Sequence, residues 1–304
     1  MHSKFRQGLW ALADPKISIT SASAMLIGVP LAARDGYFSW FWLLVTALTL
    51  FCFEVAKNAS GDIYDYDSGT DLAVAADDRT DFSGGKRVLV DHLLTRQQTW
   101  AVAAGFSCVG LILGGAILLW QSLLALWLGL AGIVLVWSYH GPPLRLAYRG
   151  FGELDVMLCY GPLICMAAYV IQADRFSPEI LWLSLPLGIF IAAFLWVNQF
   201  PDHDADRSHG KNNLVVKLGK QRASRVLPTL YLAGYTILLL APFLTSLPAT
   251  VWLGFASVPT AAFACHWAWL DPQTFYRHKP VQPMALLSFV IYAAGVAVGV
   301  LAAA

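Results

Sequence analysis

The sequence is short of charge. Only 13% of its 304 residues are Asp, Glu, Lys or Arg, and the formal net charge is +1. Without a basic excess nothing would neutralise a phosphate backbone, so no nucleic acid partner is expected. Cysteine is scarce and poorly spaced for chemistry. Cys52, Cys108, Cys159, Cys165 and Cys265 lie inside apolar runs, with no CxxC, and no His/Cys set has zinc spacing. A disulfide framework and a structural zinc are set aside, and the five thiols are expected as small buried hydrophobes. The N-terminal MHSKFRQGLWALADPK lacks the contiguous apolar core and small-residue cleavage site of a secretory signal, so the first helix is expected to be kept.

What is plentiful is apolar surface. Hydrophobic residues make up 58% of the chain, tryptophan occurs 12 times and the mean hydropathy is +0.59, a composition that belongs to membrane proteins. A helix crosses the bilayer core with about 20 mainly apolar residues, and nine segments qualify: Ile17 to Ala33, Phe38 to Lys57, Gln97 to Trp120, Ser122 to Tyr139, Glu153 to Ile171, Ile180 to Phe200, Val226 to Leu244, Pro248 to Leu270 and Pro283 to Ala303. Lipid offers no partners to backbone N–H and C=O groups, so helices are the expected solution. The predicted fold is all-α and polytopic, a single transmembrane domain over residues 1–304. Placing the N-terminus inside puts eighteen Lys and Arg on the inner side and only Arg34 and Arg175 outside, which predicts a cytoplasmic N-terminus and an outer C-terminus.

Two inner connections are long, about Ala59 to Arg96 and Pro201 to Arg225, and each opens with acid. In NASGDIYDYDSGTD, Asn58, Asp62 and Asp65 are four and three residues apart, which places them on one helical face, and Gly69 allows a turn returning Asp71 towards them. In NQFPDHDADRSHGK, Asn198, Asp202 and Asp206 repeat the device. Either cluster alone reads equally as a solvated loop. Two of them on one membrane face mean crowded carboxylates that a cation must neutralise. Mg²⁺ takes one or two carboxylates and completes its shell with water and substrate phosphate, so the pair suggests a diphosphate held between two acidic faces. Basic residues that would complete such a site are Lys86 and Arg87 of SGGKRVL, Arg145 of GPPLRLAYRG with Arg149 behind it, and Lys211. Lys57, beside Asn58, is either a ligand or a side chain snorkelling to the interface.

These paired Asn/Asp motifs resemble those of the UbiA-type intramembrane aromatic prenyltransferases, from about residue 10 to the C-terminus. The resemblance implies nine transmembrane helices around a central lipid-open cavity, capped by the two acidic loops on the cytoplasmic side, in a bacterial inner membrane. Within the family, Asn58 four residues before Asp62, DYDSGTD, SGGKRVL and YRGFGEL are similar to the 1,4-dihydroxy-2-naphthoate polyprenyltransferase branch, although Arg145 stands where relatives often carry Lys. The implied reaction is Mg²⁺-dependent transfer of a polyprenyl group from its diphosphate to 1,4-dihydroxy-2-naphthoate, giving demethylmenaquinone, diphosphate and CO₂. Asp62, Asp65, Asp71, Asp202 and Asp206 would carry the metals. Asn58 and Asn198 would orient ligands, and Arg145 would meet the departing diphosphate. Tyr64, Tyr139, Tyr148 and Trp196 are candidates for shielding an allylic cation, or else packing. His140 and Asp155 are candidates for positioning or deprotonating the acceptor, or else hydrated helix ends. Two rivals remain: a related enzyme using 4-hydroxybenzoate, homogentisate or a similar acceptor, and a transporter, against which the acids cluster at one membrane face.

Overall fold

A computed structural model describes residues 2–303, the side chains of residues 2 and 17 excepted. Fourteen α-helices follow in order: α1 (His2–Ala13), α2 (Pro15–Arg34), α3 (Trp40–Ser68), α4 (Thr70–Ala73), α5 (Arg96–Trp120), α6 (Ala125–His140), α7 (Gly152–Leu158), α8 (Ile164–Ala173), α9 (Glu179–Ser208), α10 (Leu214–Leu218), α11 (Lys220–Leu244), α12 (Val258–Leu270), α13 (Phe275–His278) and α14 (Val281–Leu301). Among the described residues the only β pairing is an isolated bridge between Thr80 and Ser83.

Seven helical stretches among the described residues are long and apolar enough to cross a membrane: Ser3–Arg34, Trp40–Ser68, Arg96–Trp120, Gly152–Ala173, Glu179–Ser208, Lys220–Leu244 and Val281–Leu301. They correspond to seven of the nine expected segments, with ends that differ by two residues at Phe38 and at Ala303. The other two are helical in a different way. α6 has 16 residues, about 24 Å of rise, and the Pro248 to Leu270 segment begins as a 3₁₀ helix over Ala249–Ser257 before becoming α12. The Gly152–Ala173 stretch is likewise interrupted. Pro162 has no N–H to donate, Gly161 takes non-helical angles, and a π turn at Cys159–Leu163 joins α7 to α8.

α9 is the most buried of the seven and α5 the least. α9 packs against α11, α14 and α7, while α3 lies along α5 and α2 along α8 and α14. The core follows α9: Phe190 meets the rings of Tyr231, Tyr235 and Tyr292, and Tyr292 donates to the Leu183 carbonyl at 2.8 Å. Outward faces are apolar instead of polar, with Leu111, Ile112, Leu119, Trp120 and Trp127 all exposed, as lipid-facing surfaces are. Position on that perimeter also decides the thiols. Cys52, Cys159 and Cys165 are buried as expected, but Cys108 on α5 is exposed and Cys265 on α12 half-buried, because those helices turn one face away from the protein.

Helix ends carry their own signals. Ser39 accepts from the Trp42 amide to start α3, and Thr95 with Gln98 forms a capping box at α5. At one end of the molecule Asp35 gathers Arg34 at 2.9 Å, Arg175 at 3.0 Å and the Tyr169 hydroxyl at 2.6 Å. The two arginines of the sparsely basic side therefore share one carboxylate.

Close approach of α2 and α8 requires Gly28, where a Cβ would fall 2.3 Å from the Cys165 carbonyl oxygen. Gly28→Val should therefore cost about 1–3 kcal/mol through overpacking, read as a lower Tm in detergent. Gly105→Ala, where a Cβ meets nothing within 4 Å, should raise Tm through helix propensity, by up to about 1 kcal/mol.

Candidate active site

α3 and α9 do not stop where their apolar runs stop. Each continues in helix through its acidic motif, to Ser68 and Ser208. The three- and four-residue spacings are thus realised as helix faces. Gly69, at φ +85°, ends α3 in the left-handed region, where a Cβ would sit 2.8 Å from the His209 ring. The chain then turns into α4, and Asp71 is buried.

The two motif helices meet through one ammonium. Lys211 Nζ lies 3.2 Å from Asp65 Oδ2 and 3.8 Å from Asp206 Oδ1, and the Lys211 backbone N–H donates to the Asp206 carbonyl at 2.9 Å. Tyr148 donates its hydroxyl to Asp65 Oδ1 at 2.6 Å, and the Asn213 amide donates to Asp206 Oδ2 at 2.8 Å. His140 Nε2 stands 3.6 Å from Asp65 Oδ2. Gly61 makes room for that ring, since a Cβ there would approach it to 2.9 Å. Burial opposes the charge on Lys211, yet Asp206 and Asp65, with Tyr148 and Asp71 behind them, hold its pKa well above the ordinary lysine value. Burial and then Asp65 push the Tyr148 phenol up to about 12, so it remains a donor.

Asp71 and Asp202 complete the group. Both act electrostatically on each other and on Lys211 and Asp206. Asp71 Oδ2 and Asp202 Oδ1 are buried without a hydrogen-bond partner. Burial pushes the Asp71 carboxyl up to about 8, with Asp65, Asp62 and Asp206 adding to it against the pull of Lys211. The Gly pair of SGGKRVL closes over this carboxylate. Gly84 and Gly85 have φ of +87° and +76°, and a Cβ on Gly85 would lie 2.2 Å from Asp71 Oδ2. Four carboxylates, one shared ammonium and two orphaned oxygens fit a hard divalent cation. Among the described residues no three of His, Cys, Asp and Glu converge closely enough to hold a metal alone, so part of any shell has to come from water or substrate phosphate.

Several residues expected here are turned elsewhere. Asp62 accepts from the Val88 amide at Oδ1, 3.1 Å, and from the Leu89 amide at Oδ2, 3.0 Å, so it fastens the loop after the Gly pair. Asn58 donates to the Leu12 carbonyl at 2.9 Å and tethers α1. Asn198 accepts from Gln282 at 3.1 Å, linking α9 to α14. Lys86 is paired with Asp14, and Arg87 with Asp91 at 2.9 Å and the Asp71 carbonyl at 3.1 Å. Arg145, at φ +46°, stacks its guanidinium 4.1 Å from the Tyr148 ring centroid. It lines an open polar depression of ≈ 610 Å³ with Arg149, Tyr64, Asp67 and His209. Trp196 donates to the Ala223 carbonyl at 3.0 Å and packs. Lys57 and Tyr139 lie together, 5.8 Å from ammonium to ring centroid, and Lys57 lines a separate apolar cavity.

Two residues escaped the sequence reading. Asn213 shows in sequence only as a plausible cap before LVVKL. Glu54 has a stronger signal, a carboxylate inside an apolar run, which in membranes marks function by default. It is buried on α3 and accepts from Ser18 at 2.8 Å and from Ser21.

Residues 21–292 match the UbiA prenyltransferase family, and the chain belongs to that family. It is a prenyltransferase and an integral membrane protein. Among curated relatives, 2-carboxy-1,4-naphthoquinone phytyltransferase of Synechocystis sp. is 29% identical over 247 residues, covering 81% of this chain and 75% of the relative. The 1,4-dihydroxy-2-naphthoate octaprenyltransferase of Bacillus subtilis is 28% identical over 231 residues, covering 75% and 71%. In fold, the chain is similar to the apo structure of a UbiA homolog from Aeropyrum pernix K1, with a TM-score of 0.70 at 20% identity over 92% of this chain and 96% of that one. A UbiA homolog from Archaeoglobus fulgidus bound to DMAPP and Mg²⁺ gives 0.60 at 13% identity, covering 97% and 99%.

A carboxyl whose folded pKa is raised keeps its proton in the folded state after the unfolded chain has lost it. Stability then falls as pH rises from the ordinary carboxylate range to about 8 for Asp71. In Mg²⁺-free detergent, Tm should drop across that window, and Asp71→Asn should remove much of the drop; thermal scans of both proteins across the window check it.

Proposed function

We propose that the protein transfers a polyprenyl group from polyprenyl diphosphate to 1,4-dihydroxy-2-naphthoate, releasing diphosphate and CO₂ and forming demethylmenaquinone in its reduced, quinol form. The observation that carries this reading is the Lys211 bridge, which brings the acidic ends of α3 and α9 to one point. The choice of acceptor is supported by the naphthoate and naphthoquinone substrates in the names of the Bacillus and Synechocystis relatives.

On this reading Asp65, Asp71, Asp202 and Asp206 would hold Mg²⁺, which would supply neutralising charge for the diphosphate. Lys211 shares its charge between the two helices and stands where it would meet phosphate oxygens. Arg145 draws the anionic head in from the polar depression, with Arg149 beside it. Tyr148 holds Asp65 in place by its hydroxyl and offers its ring face to positive charge. When the bond from carbon 1 of the prenyl chain to oxygen breaks, its electron pair leaves with the diphosphate. The acceptor ring attacks the allylic carbon, and loss of its carboxylate as CO₂ restores aromaticity. Asp62 is a positioning residue, because the loop it fastens carries Gly85 over Asp71.

The same reading takes residues 1–304 as one domain with nine spans, α6 and the 3₁₀–α12 segment being the two short ones. It places the N-terminus and both acidic motifs on the cytoplasmic side of a bacterial inner membrane, with the C-terminus outside. Glu54 lies in a span, as a transporter's ion path would require, but it is held by two serines and stands apart from the acidic cluster.

Prenyl transfer by detergent-purified protein tests the proposal. Asp65→Ala and Asp206→Ala should each lower kcat/KM by about 10²–10³, the scale of losing a group that stabilises developing charge. Chelation of Mg²⁺ should abolish turnover. Asp77→Ala, exposed in the loop after α4, should stay within about twofold, as surface charges contribute little. Mg²⁺-dependent transfer to 4-hydroxybenzoate or homogentisate, with none to the naphthoate, would overturn the acceptor assignment.

A further inference from the structure

α1 is joined to the rest of the protein along one face. Gly8 and Leu12, four residues apart, point inward: a Cβ on Gly8 would meet the Leu94 side chain at 2.7 Å, and Leu12 is fully buried in an apolar cluster with Val55 and Ala59 of α3 and Val102 and Ala103 of α5. Arg6 and Trp10, also four apart, fall on the opposite face. Trp10 is 69% exposed and Phe5 40%, with Lys4, Arg6 and Gln7 exposed beside them. We propose that this outward face of α1 binds the headgroups of anionic phospholipids, the indole entering the lipid while Lys4 and Arg6 take the phosphates.

Depth supports this first. Val55 and Ala59 stand on either side of Asn58, where the apolar run of α3 gives way to its acidic motif, and Val102 lies about 9 Å of helix rise beyond Arg96, the first residue of α5. α1 therefore sits level with the ends of the apolar runs, at the boundary between hydrocarbon and headgroups. An indole turned away from the protein at that level meets lipid. The charges beside it decide which lipid. α1 contains no Asp or Glu, and among the described residues Lys4 and Arg6 have no ion pair or side-chain hydrogen bond. Asp14, the acid nearest in sequence, is taken by Lys86. Two free cations around an interfacial aromatic fit a headgroup of net negative charge, whereas a zwitterionic headgroup brings a cation of its own to compete with them.

The inward side of α1 is bonded to the segments that carry the acidic end. The Asn58 amide donates to the Leu12 carbonyl at 2.9 Å. Lys86, the partner of Asp14, directly follows the Gly85 that lies against Asp71, and Val88 and Leu94 of the same loop belong to the cluster that seats α1. A helix moored to the leaflet through its outer face therefore braces that loop from behind, and lipid of the right charge stabilises the whole corner.

Thermal melting of the full-length protein in uncharged detergent, titrated with short-chain phosphatidylglycerol or with phosphatidylcholine of the same chains, tests the assignment without any turnover. Phosphatidylglycerol should raise Tm at a concentration lower by about fivefold or more. Lys4→Gln combined with Arg6→Gln should weaken that response by about tenfold or more, the scale of two cations near a charged surface, whereas Lys4→Arg combined with Arg6→Lys should keep it. Trp10→Ser should weaken the response to both lipids. Arg222→Gln combined with Arg225→Gln, two exposed cations at the start of α11, should respond as wild type does; an equal loss there makes the effect one of general positive charge and overturns the site. Equal responses of wild type to the two lipids overturn it as well, and so does a full response to inorganic phosphate at the same concentration, which would leave a site for free anions. A dimer in light scattering that Trp10→Ser dissolves, with no preference between lipids, gives the face to a second copy of the chain and overturns the lipid assignment.

Discussion

One ammonium decides how the acidic end of this protein is put together. Lys211 stands between carboxylates that would otherwise repel, and it is brought there by its own backbone, whose N–H is bonded to the Asp206 carbonyl. Everything nearby is arranged about that contact. Tyr148 and Asn213 satisfy the remaining oxygens of Asp65 and Asp206, and Asp71 and Asp202 wait behind with one oxygen each unsatisfied. In a low-dielectric setting such a group is either neutralised or unstable. The fold accordingly devotes segments far apart in sequence, α3, the Tyr148 turn, α9 and the start of α10, to one small volume.

The scaffold around it follows from the solvent. Lipid forbids exposed backbone polar groups, so every long segment is helical. Irregularity is confined to places where side chains or packing compensate, as at the π turn where Pro162 interrupts the ladder and Gly161 lies close against Gly188. α9, the most buried helix, carries the second motif beyond its apolar run without interruption. The acidic face is thereby positioned by a core of tilted and edge-on rings around Phe190.

How much of this could be read in advance depended on whether the information was local. Apolar runs gave the helices, because length and hydropathy decide spanning. The spacing of Asn58, Asp62 and Asp65 gave a helix face, because periodicity is a backbone property. What a face points at is not local. Asn58 and Asp62 share a face with Asp65 and yet serve α1 and the loop at Val88, because those segments fold back onto the helix from both sides. The positive charges were harder still. Lys86 found Asp14, seventy-two residues away, and Lys211 found the centre, though both are lysines beside glycine in acidic loops. The 3₁₀ run at Ala249–Ser257 has no sequence marker that separates it from an ordinary apolar helix.

The anchoring of the loop at Asp62 also settles how the site can be reached. With Val88 and Leu89 bonded to α3 and Gly85 pressed onto Asp71, the segment behaves as part of the helix, a fixed wall instead of a flap. The opposite wall is different in kind, an open polar basin rimmed by Arg145, Arg149, Asp67 and His209. Charged molecules therefore meet a rigid wall on one side and, on the other, a basin in which the arginines outnumber the single carboxylate of Asp67.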